Sequence, residues 1–265
     1  MREGPAVRDH RFPETAFPVI VAHRGASSTH PENTLASFRA AIELGAPVVE
    51  LDVRLTADGV PVVMHDADVA RTTDGEGLVH ELTARQLADL NAGTVGSPEP
   101  VPTLRRALQL LSGRAGVALE IKNLPGEPGY ADDERIVEVS HEEVTATAFE
   151  GPVLVLSFHP RWIAASKAVA SRVPTGFLVT DLVDPRDALA YAVEAGHDLV
   201  LPGSRSLIPA GAAFVEEVHA AGLRVGTWTV DDPRTLEMLL DRGVDAIASN
   251  DPEMALSVLA ERERA

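Results

Sequence analysis

VIVAHRGASSTHPENTLASFRAAIELGAPVVELDV, residues Val19 to Val53, contains in one piece the repeat from which the rest of the chain is built. Val19–His23 and Val48–Val53 are short apolar runs rich in β-branched residues, the composition of strands buried on both faces. Between them Leu35–Leu44 carries apolar residues at helical spacing, is capped by Asn33 or Thr34 and is followed by Gly45. Two strands joined through a helix run parallel, because the crossover returns the chain to the same end of the sheet. The alternation continues through strand-like runs at Val117–Ile121, Val153–Phe158, Thr175–Val179, Leu199–Leu201, Arg224–Val230 and Ala246–Ser249. Pro102-Thr103 opens a helix at Leu104–Leu111 and Asp232-Pro233 another at Arg234–Leu240, with Gly113, Gly196, Gly222 and Gly243 at or beyond helix ends. Eight such units close into a TIM (β/α)8 barrel, and 265 residues fit the ~250 typical of that fold. An open doubly wound sheet is the alternative on pattern alone. The fifth to seventh units are the least marked, with short strands and frequent prolines.

Two features depart from the repeat. Thr56-Ala57-Asp58-Gly59 is a turn sequence joining Glu50–Leu55 to Val60–His65, which makes an extra antiparallel hairpin strand. With Leu55 opposite Val60, Glu50 faces His65 and Asp52 faces Val63, all on one side; a bulge at Gly59 would move this register by one residue. The segment 66–100, containing the loop Arg71–Gly77 and a short helix capped by Thr83, is too long for an ordinary connection and is expected to form a small insertion or lid. The Pro/Gly-rich loop Lys122–Asp132 belongs to the same rim. The expected organisation is a flexible N-terminal arm, 1–18, and a single catalytic barrel domain, 19–265.

Composition narrows the chemistry. The absence of cysteine excludes disulfides, thiolate metal sites and a thiol nucleophile, so any metal sits among oxygen or imidazole ligands. A net charge of −17 opposes contact with nucleic acid or an anionic membrane. No apolar run approaches the ~20 residues of a membrane span. Met1–Pro18 has three arginines but lacks the apolar core of a signal peptide, so a soluble cytoplasmic protein without stable membrane anchoring is expected. Oligomeric state leaves no mark in the sequence. A small anionic substrate remains compatible, because a local cationic cluster outweighs a diffuse negative shell at short range.

Four strand ends carry the reactive groups: His23-Arg24-Gly25, Glu50-Leu51-Asp52, His65-Asp66 and Glu120-Ile121-Lys122. Glu50 and Asp52, two apart on a strand, project to one side, and Glu120 ends the next parallel strand. Together they form an all-carboxylate set suited to one divalent cation, Mg2+, Ca2+ or Mn2+. The other reading of the same carboxylates is ion pairing with Arg24, Arg54 and Lys122. His23 and His65 suit proton transfer near neutral pH, and His159, after Ser157-Phe158, is a further candidate for substrate contact. Arg24 offers phosphate a planar fork and Lys122 a point charge; the chain has only one other lysine, Lys167. Trp228 is either a wall for the organic part of a substrate or core filling. No dinucleotide fingerprint, Walker loop, nucleophile elbow or His-Glu-x-x-His is present.

These segments resemble the glycerophosphodiester phosphodiesterase family. The resemblance runs through Ala22-His23-Arg24-Gly25, Pro31-Glu32-Asn33-Thr34, Glu50-Leu51-Asp52-Val53, Thr56-Ala57-Asp58-Gly59, His65-Asp66, Arg71-Thr72-Thr73-Asp74-Gly75, Val101-Pro102-Thr103-Leu104, Glu120-Ile121-Lys122, Ser157-Phe158 and Trp228-Thr229-Val230. It implies a TIM barrel with a small insertion and divalent-cation-dependent hydrolysis of a small glycerophosphodiester to sn-glycerol 3-phosphate and an alcohol. By resemblance His23 and His65 match the acid–base pair, Glu50, Asp52 and Glu120 the metal ligands, Arg24 and Lys122 the phosphate contacts, and Glu32 and Asn33 a motif beside the site. It also implies internal attack through a cyclic phosphate. Two late segments depart: Asp231 follows Trp228-Thr229-Val230 where the family often has Asn, and the last strand ends Ser249-Asn250-Asp251-Pro252 in place of Thr-Asp-x-Pro. Three other activities fit less well. A metal-dependent sugar isomerase or lyase would leave Arg24 and Lys122 without a phosphate, and a noncatalytic ligand-binding barrel would not need both histidines. A lysophospholipase D-type enzyme on the same fold needs an apolar channel beside the site, of which the low aromatic content and acidity give no sign.

Overall fold

The computed structural model describes residues 10–13 and 16–264. Eight parallel strands form a closed ring: β1 (Val19–Ala22), β2 (Val48–Leu55), β4 (Gly116–Ile121), β5 (Val153–Ser157), β6 (Thr175–Val179), β7 (Leu199–Pro202), β8 (Arg224–Thr227) and β9 (Ala246–Ser249). Closure is made where β1 pairs with β2, Val21 opposite Val48, and with β9, Val19 opposite Ala246. This is the TIM barrel; the open sheet is excluded by the β1–β2 pairing. Around it run α1 (Leu35–Glu43), α3 (Leu104–Leu111), α4 (Arg135–Ala146), α5 (Pro160–Val169), α6 (Pro185–Ala195), α7 (Ser204–Ala220, interrupted at Gly211), α8 (Pro233–Asp241) and α9 (Pro252–Arg264), while α2 (Ala84–Ala88) lies in the insertion. Thr34, not Asn33, caps α1, in a reciprocal box with Ser37. Thr83 caps α2 in the same way with Gln86.

Alternation along each strand divides the core. Val49, Leu51, Val117, Leu119, Val155, Val200 and Ile247 face the helices and are sealed from solvent. Val19, Val48, Ala118, Leu154, Leu156, Leu199 and Ala246 form a separate cluster inside the ring. The same alternation aims Glu50 and Asp52 from β2 and Glu120 from β4 inward at the carboxyl ends of the strands, where barrel enzymes keep their chemistry.

The hairpin strand β3 (Pro61–Val63) lies outside the ring against β2, as expected, but in a different register. Leu55 opposes Pro61 and Val53 opposes Val63, one residue away from the pairing of Leu55 with Val60. Gly59 takes a left-handed φ of 74°, and Val60 stays in the turn, where its N–H donates to Thr56 Oγ1 at 3.0 Å. Glu50 therefore does not face His65 across a ladder. The strand ends at Val63, Met64 N donates to Asp52 O (3.0 Å), and His65 reaches the site from the connection that follows.

Of the expected arm, residues 1–9 and 14–15 lie outside the described residues. Residues 10–13 and 16–18 pack at the amino-terminal end of the barrel instead of standing free of it. His10 O accepts from Val153 N (2.9 Å), Phe12 and Phe17 join the inward cluster, and the Arg224 guanidinium lies 3.9 Å from the centre of the Phe17 ring. Apolar rings and a barrel floor with exposed strand ends account for this docking. The insertion has its own small core, Val62, Met64, Val69, Val79, Leu87, Ala92 and Val101. Among the described residues no helix is long and apolar enough to cross a membrane.

Candidate active site

Burial, charge and hydrogen bonding meet at the carboxyl ends of β1, β2 and β4. Glu50, Asp52 and Glu120 are all buried, and each offers an oxygen within 4.8 Å of the others. Glu50 Oε1 is buried without a hydrogen bond, and Asp52 Oδ1 and Glu120 Oε1 have an ammonium as their neighbour. Lys122 Nζ makes ion-pair contacts with two of these atoms, 2.5 Å from Glu120 Oε1 and 3.3 Å from Asp52 Oδ1. Arg24 Nε lies 3.2 Å from Asp52 Oδ2, and Arg24 N donates to Glu50 Oε2 at 2.9 Å. The ion-pairing reading of the carboxylates is thus present at Arg24 and Lys122, Lys122 meeting Asp52 Oδ1 and Glu120 Oε1, while Glu50 Oε1 is buried without a hydrogen bond. Arg54 is not among those cations; it donates to His65 O and pairs with Glu127.

The charges are unevenly held. Burial, reinforced by Asp52, pushes the Glu50 carboxyl up to about 8, and burial against the opposing pull of Lys122 raises Glu120 to about 7. Burial also pushes on Asp52, but Lys122 and Arg24 together outweigh it and hold that carboxyl at about 2. A site with three buried carboxyls against two cations, and with Glu50 Oε1 unpaired, fits a hard divalent ion.

Both histidines are held by Nδ1. His23 Nδ1 lies 2.7 Å from Asn250 Oδ1, and His65 Nδ1 lies 2.5 Å from Asp66 Oδ1. His23 Nε2 stands 3.9 Å from Glu50 Oε2. Burial lowers both imidazoles from their ordinary value; Arg24 adds to this at His23, while Asp52 and Asp66 oppose it at His65. Glu32 and Asn33 belong to the supporting structure. Asn33 Nδ2 donates to Asp52 Oδ2 at 2.7 Å, and Glu32 joins Arg24 (2.9 Å) to Arg71 (2.8 and 2.9 Å). Arg71 in turn donates to Asp66. Gly25, with φ 83°, lets the chain turn between the first strand and these groups, where a Cβ would stand 2.5 Å from Ser37 Oγ.

The reactive groups line one end of a cavity of about 290 Å3, together with Phe158, Thr227 and Trp228. Trp228 is a wall of this cavity, edge-on to Phe158 at 5.3 Å, with its indole N–H donating to Leu201 O. His159 is not: its ring accepts from Arg161 N as the cap of α5 and stacks on Tyr130.

The pattern is matched over residues 23–254 by the model of the glycerophosphoryl diester phosphodiesterase family. The chain belongs to that family. As a member of the glycerophosphoryl diester phosphodiesterases it is an enzyme, a phosphoric diester hydrolase. The glycerophosphodiester phosphodiesterase of Caldanaerobacter subterraneus subsp. tengcongensis is 35% identical over 248 residues, covering 91% of this chain and 97% of the relative. A phosphodiesterase of Oleispira antarctica, solved in complex with the product sn-glycerol-3-phosphate, superposes with a TM-score of 0.84 at 29% identity, over 93% of this chain and 98% of that one. Glycerophosphodiester phosphodiesterase from Agrobacterium tumefaciens gives 0.75 at 26% identity, over 90% and 99%.

Arg71, Asn250 and Asp231 were given no part in the site by the sequence, and Asp66, though in the reactive pair His65-Asp66, was given no role of its own. Arg71 lies in a segment shared with this phosphodiesterase family, which was its available signal. Asn250 and Asp231 are the two departures from the family pattern, and they are in contact: Asn250 Nδ2 donates to Asp231 Oδ2 at 2.6 Å and Asn250 N to Asp231 Oδ1 at 2.7 Å.

Proposed function

We propose that this chain hydrolyses glycerophosphodiesters to sn-glycerol 3-phosphate and an alcohol, with one divalent cation, Mg2+ or Ca2+ and in principle Mn2+, held by Glu50, Asp52 and Glu120. The observation that carries the reading is the pair of imidazoles, each tied through Nδ1, bordering one cavity with Glu50, Glu120, Arg24 and Lys122, with Asp52 buried beside them. When bound, a divalent ion supplies Lewis-acid polarisation of the phosphoryl group and lowers the pKa of a coordinated hydroxyl. Arg24 and Lys122 hold the phosphoryl oxygens and offset charge that builds up in the transition state.

The hydrogen bonds at the two Nδ1 atoms support one division of the proton traffic. Asn250 gives its amide N–H to Asp231 and turns Oδ1, also the acceptor for Ser27 Oγ, toward His23. That oxygen has no proton to give, so His23 carries hydrogen on Nδ1 and a lone pair on Nε2. His23 is the base that takes the proton of the glycerol hydroxyl. His65 donates its Nδ1 proton to the Asp66 carboxylate, a bond that opposes the lowering by burial, and we assign His65 as the acid that protonates the departing alcohol. The glycerol hydroxyl closes on phosphorus and expels the alcohol; water then opens the cyclic phosphate with the two rings in exchanged roles. Glu32 and Asn33 keep Arg24 and Asp52 in place, Trp228 flanks the organic portion of the substrate, and the 66–100 insertion borders the entrance beside His65.

The test is a coupled assay for glycerol 3-phosphate released from glycerophosphocholine, glycerophosphoethanolamine and diglycerol phosphate. Activity should vanish with chelator and return with Mg2+ or Ca2+. No release from any of the three with either cation restored rejects the reading.

A further inference from the structure

Val53 is the last residue of β2 to pair with β4, and the segments that carry His65 and Lys122 leave the ladder on either side of β2. Arg54 is the next residue. Alternation gives it the face of Glu50 and Asp52, and it is buried, with 7% exposure. Its guanidinium is directed at three acceptors on other segments: Nε donates to His65 O at 2.7 Å, Nη1 to Lys122 O at 3.3 Å and Nη2 to Glu127 Oε2 at 2.8 Å. One planar group thus ties the exit of the hairpin strand, the exit of β4 and the rim loop 122–132. That loop is itself closed by Asn123, whose side-chain amide donates to Ala131 O (2.8 Å) and accepts from Ala131 N (3.0 Å). At the exit of β4 side chains take over from the ladder: Ile121 O accepts from Ser157 Oγ, Lys122 O from Arg54 Nη1 and Asn123 O from Trp162 Nε1. Three successive carbonyls are held by donors from three different elements.

Resting on the acid and phosphate-binding roles that the phosphodiesterase reading gives to His65 and Lys122, we propose that Arg54 is a positioning residue that sets the distance between them. It reaches both through their backbone carbonyls and leaves their reactive atoms free for other partners. His65 keeps Nδ1 on Asp66, and Lys122 keeps Nζ against Glu120 and Asp52, while Arg54 stops the two main chains from sliding apart. A guanidinium suits this task because its donors point in fixed directions within one plane, whereas an ammonium is a single point on a flexible stem. Glu127 supplies the opposite charge and keeps the fork from rotating. Such spacing governs rate: a displacement of about 1 Å at a reacting group costs about 100-fold.

The experiment compares the wild type, Arg54→Lys and Arg54→Met, in Mg2+ and in Ca2+, on glycerophosphocholine and on the nitrophenyl ester of glycerol phosphate. On glycerophosphocholine both variants should lose about 10- to 100-fold in kcat and show a higher KM, because the acid and the phosphate contact drift apart. On the nitrophenyl ester, whose leaving group needs no proton, kcat should recover while the higher KM persists. Calorimetric titration should find cation affinity unchanged, since Glu50, Asp52 and Glu120 keep their places. Arg54→Lys preserves the charge facing Glu127 and should hold its Tm nearer the wild type, so it carries the test if Arg54→Met does not fold. A lowered Tm with unaltered kcat, KM and leaving-group dependence overturns the proposal, because Arg54 then serves the fold alone. Full activity in Arg54→Lys also overturns it, as does an equal loss of kcat on both esters or a parallel loss of cation affinity. A wild type inactive on both esters rejects the phosphodiesterase reading itself, whereas an active wild type with unaffected variants rejects only the role of Arg54.

Discussion

Replacing Glu50 by glutamine probes the crowding of the buried carboxylates that we propose hold the cation. Burial and Asp52 move the Glu50 carboxyl from its ordinary 4.5 to about 8. The folded protein therefore binds this proton more tightly than the unfolded chain does. The stability it contributes is complete below the ordinary value and is withdrawn as pH rises toward 8, where ionisation is tolerated in the unfolded chain but opposed in the fold. At about 1.4 kcal/mol per pKa unit, the loss in cation-free protein is on the order of a few kcal/mol. Glutamine keeps the shape without the charge. In chelator the variant should match the wild type near about pH 5 and exceed it by that order near about pH 8. Added Mg2+ or Ca2+ should reverse the ranking, because the ion stabilises the native state in proportion to its affinity and the variant has lost a ligand. Urea unfolding followed by the fluorescence of Trp162 and Trp228, with calorimetric titration of the cation, measures both effects. Parallel stability–pH curves in chelator would refute the crowding argument, and equal cation affinity would remove Glu50 from the coordination shell.

His23→Ala and His65→Ala should each lower kcat by a factor of roughly 10²–10⁴. On a diester with a nitrophenolate leaving group, which needs no proton, His65→Ala should recover much of its rate and His23→Ala should not; recovery by His23→Ala instead would invert the assignment. Asp231→Ala frees the Asn250 amide to turn its N–H toward His23, so kcat should fall more than tenfold with KM little changed, and restoration by Asp231→Asn combined with Asn250→Asp would show that pairing, not a particular residue, is what matters. Gly25→Ala should destabilise by about 1–3 kcal/mol, from the clash with Ser37 and the positive φ, measured by urea midpoint; an unchanged midpoint would show that the turn can relax.

The barrel was readable because its signal is local and repeated. Strands at Thr175–Val179 and Ala246–Ser249 and the helix at Leu104–Leu111 have in the structure the bounds that apolar periodicity and caps assign to them. The acidic floor was readable for a related reason: residues two apart on a strand share a face, so Glu50 and Asp52 announce a common direction, and the order of strands places Glu120 beside them. What lies outside that reach depends on geometry no local pattern encodes. One residue absorbed at Gly59 shifted the hairpin register, since turn conformation and not strand composition sets pairing. Asn250, held by Asp231, meets His23 only because ring closure brings β9 beside β1, joining residues 227 positions apart. Phe12 and Phe17 find the barrel floor, and the void above them exists, because closure radius and side-chain volume are properties of the whole ring. The sequence by itself determined the repeat, the parallel strands and the reactive groups at their ends. Tertiary structure alone decided which nitrogen of each histidine is engaged and how much space is left beneath them, because hydrogen-bond direction and packing volume arise only when distant segments are brought into contact.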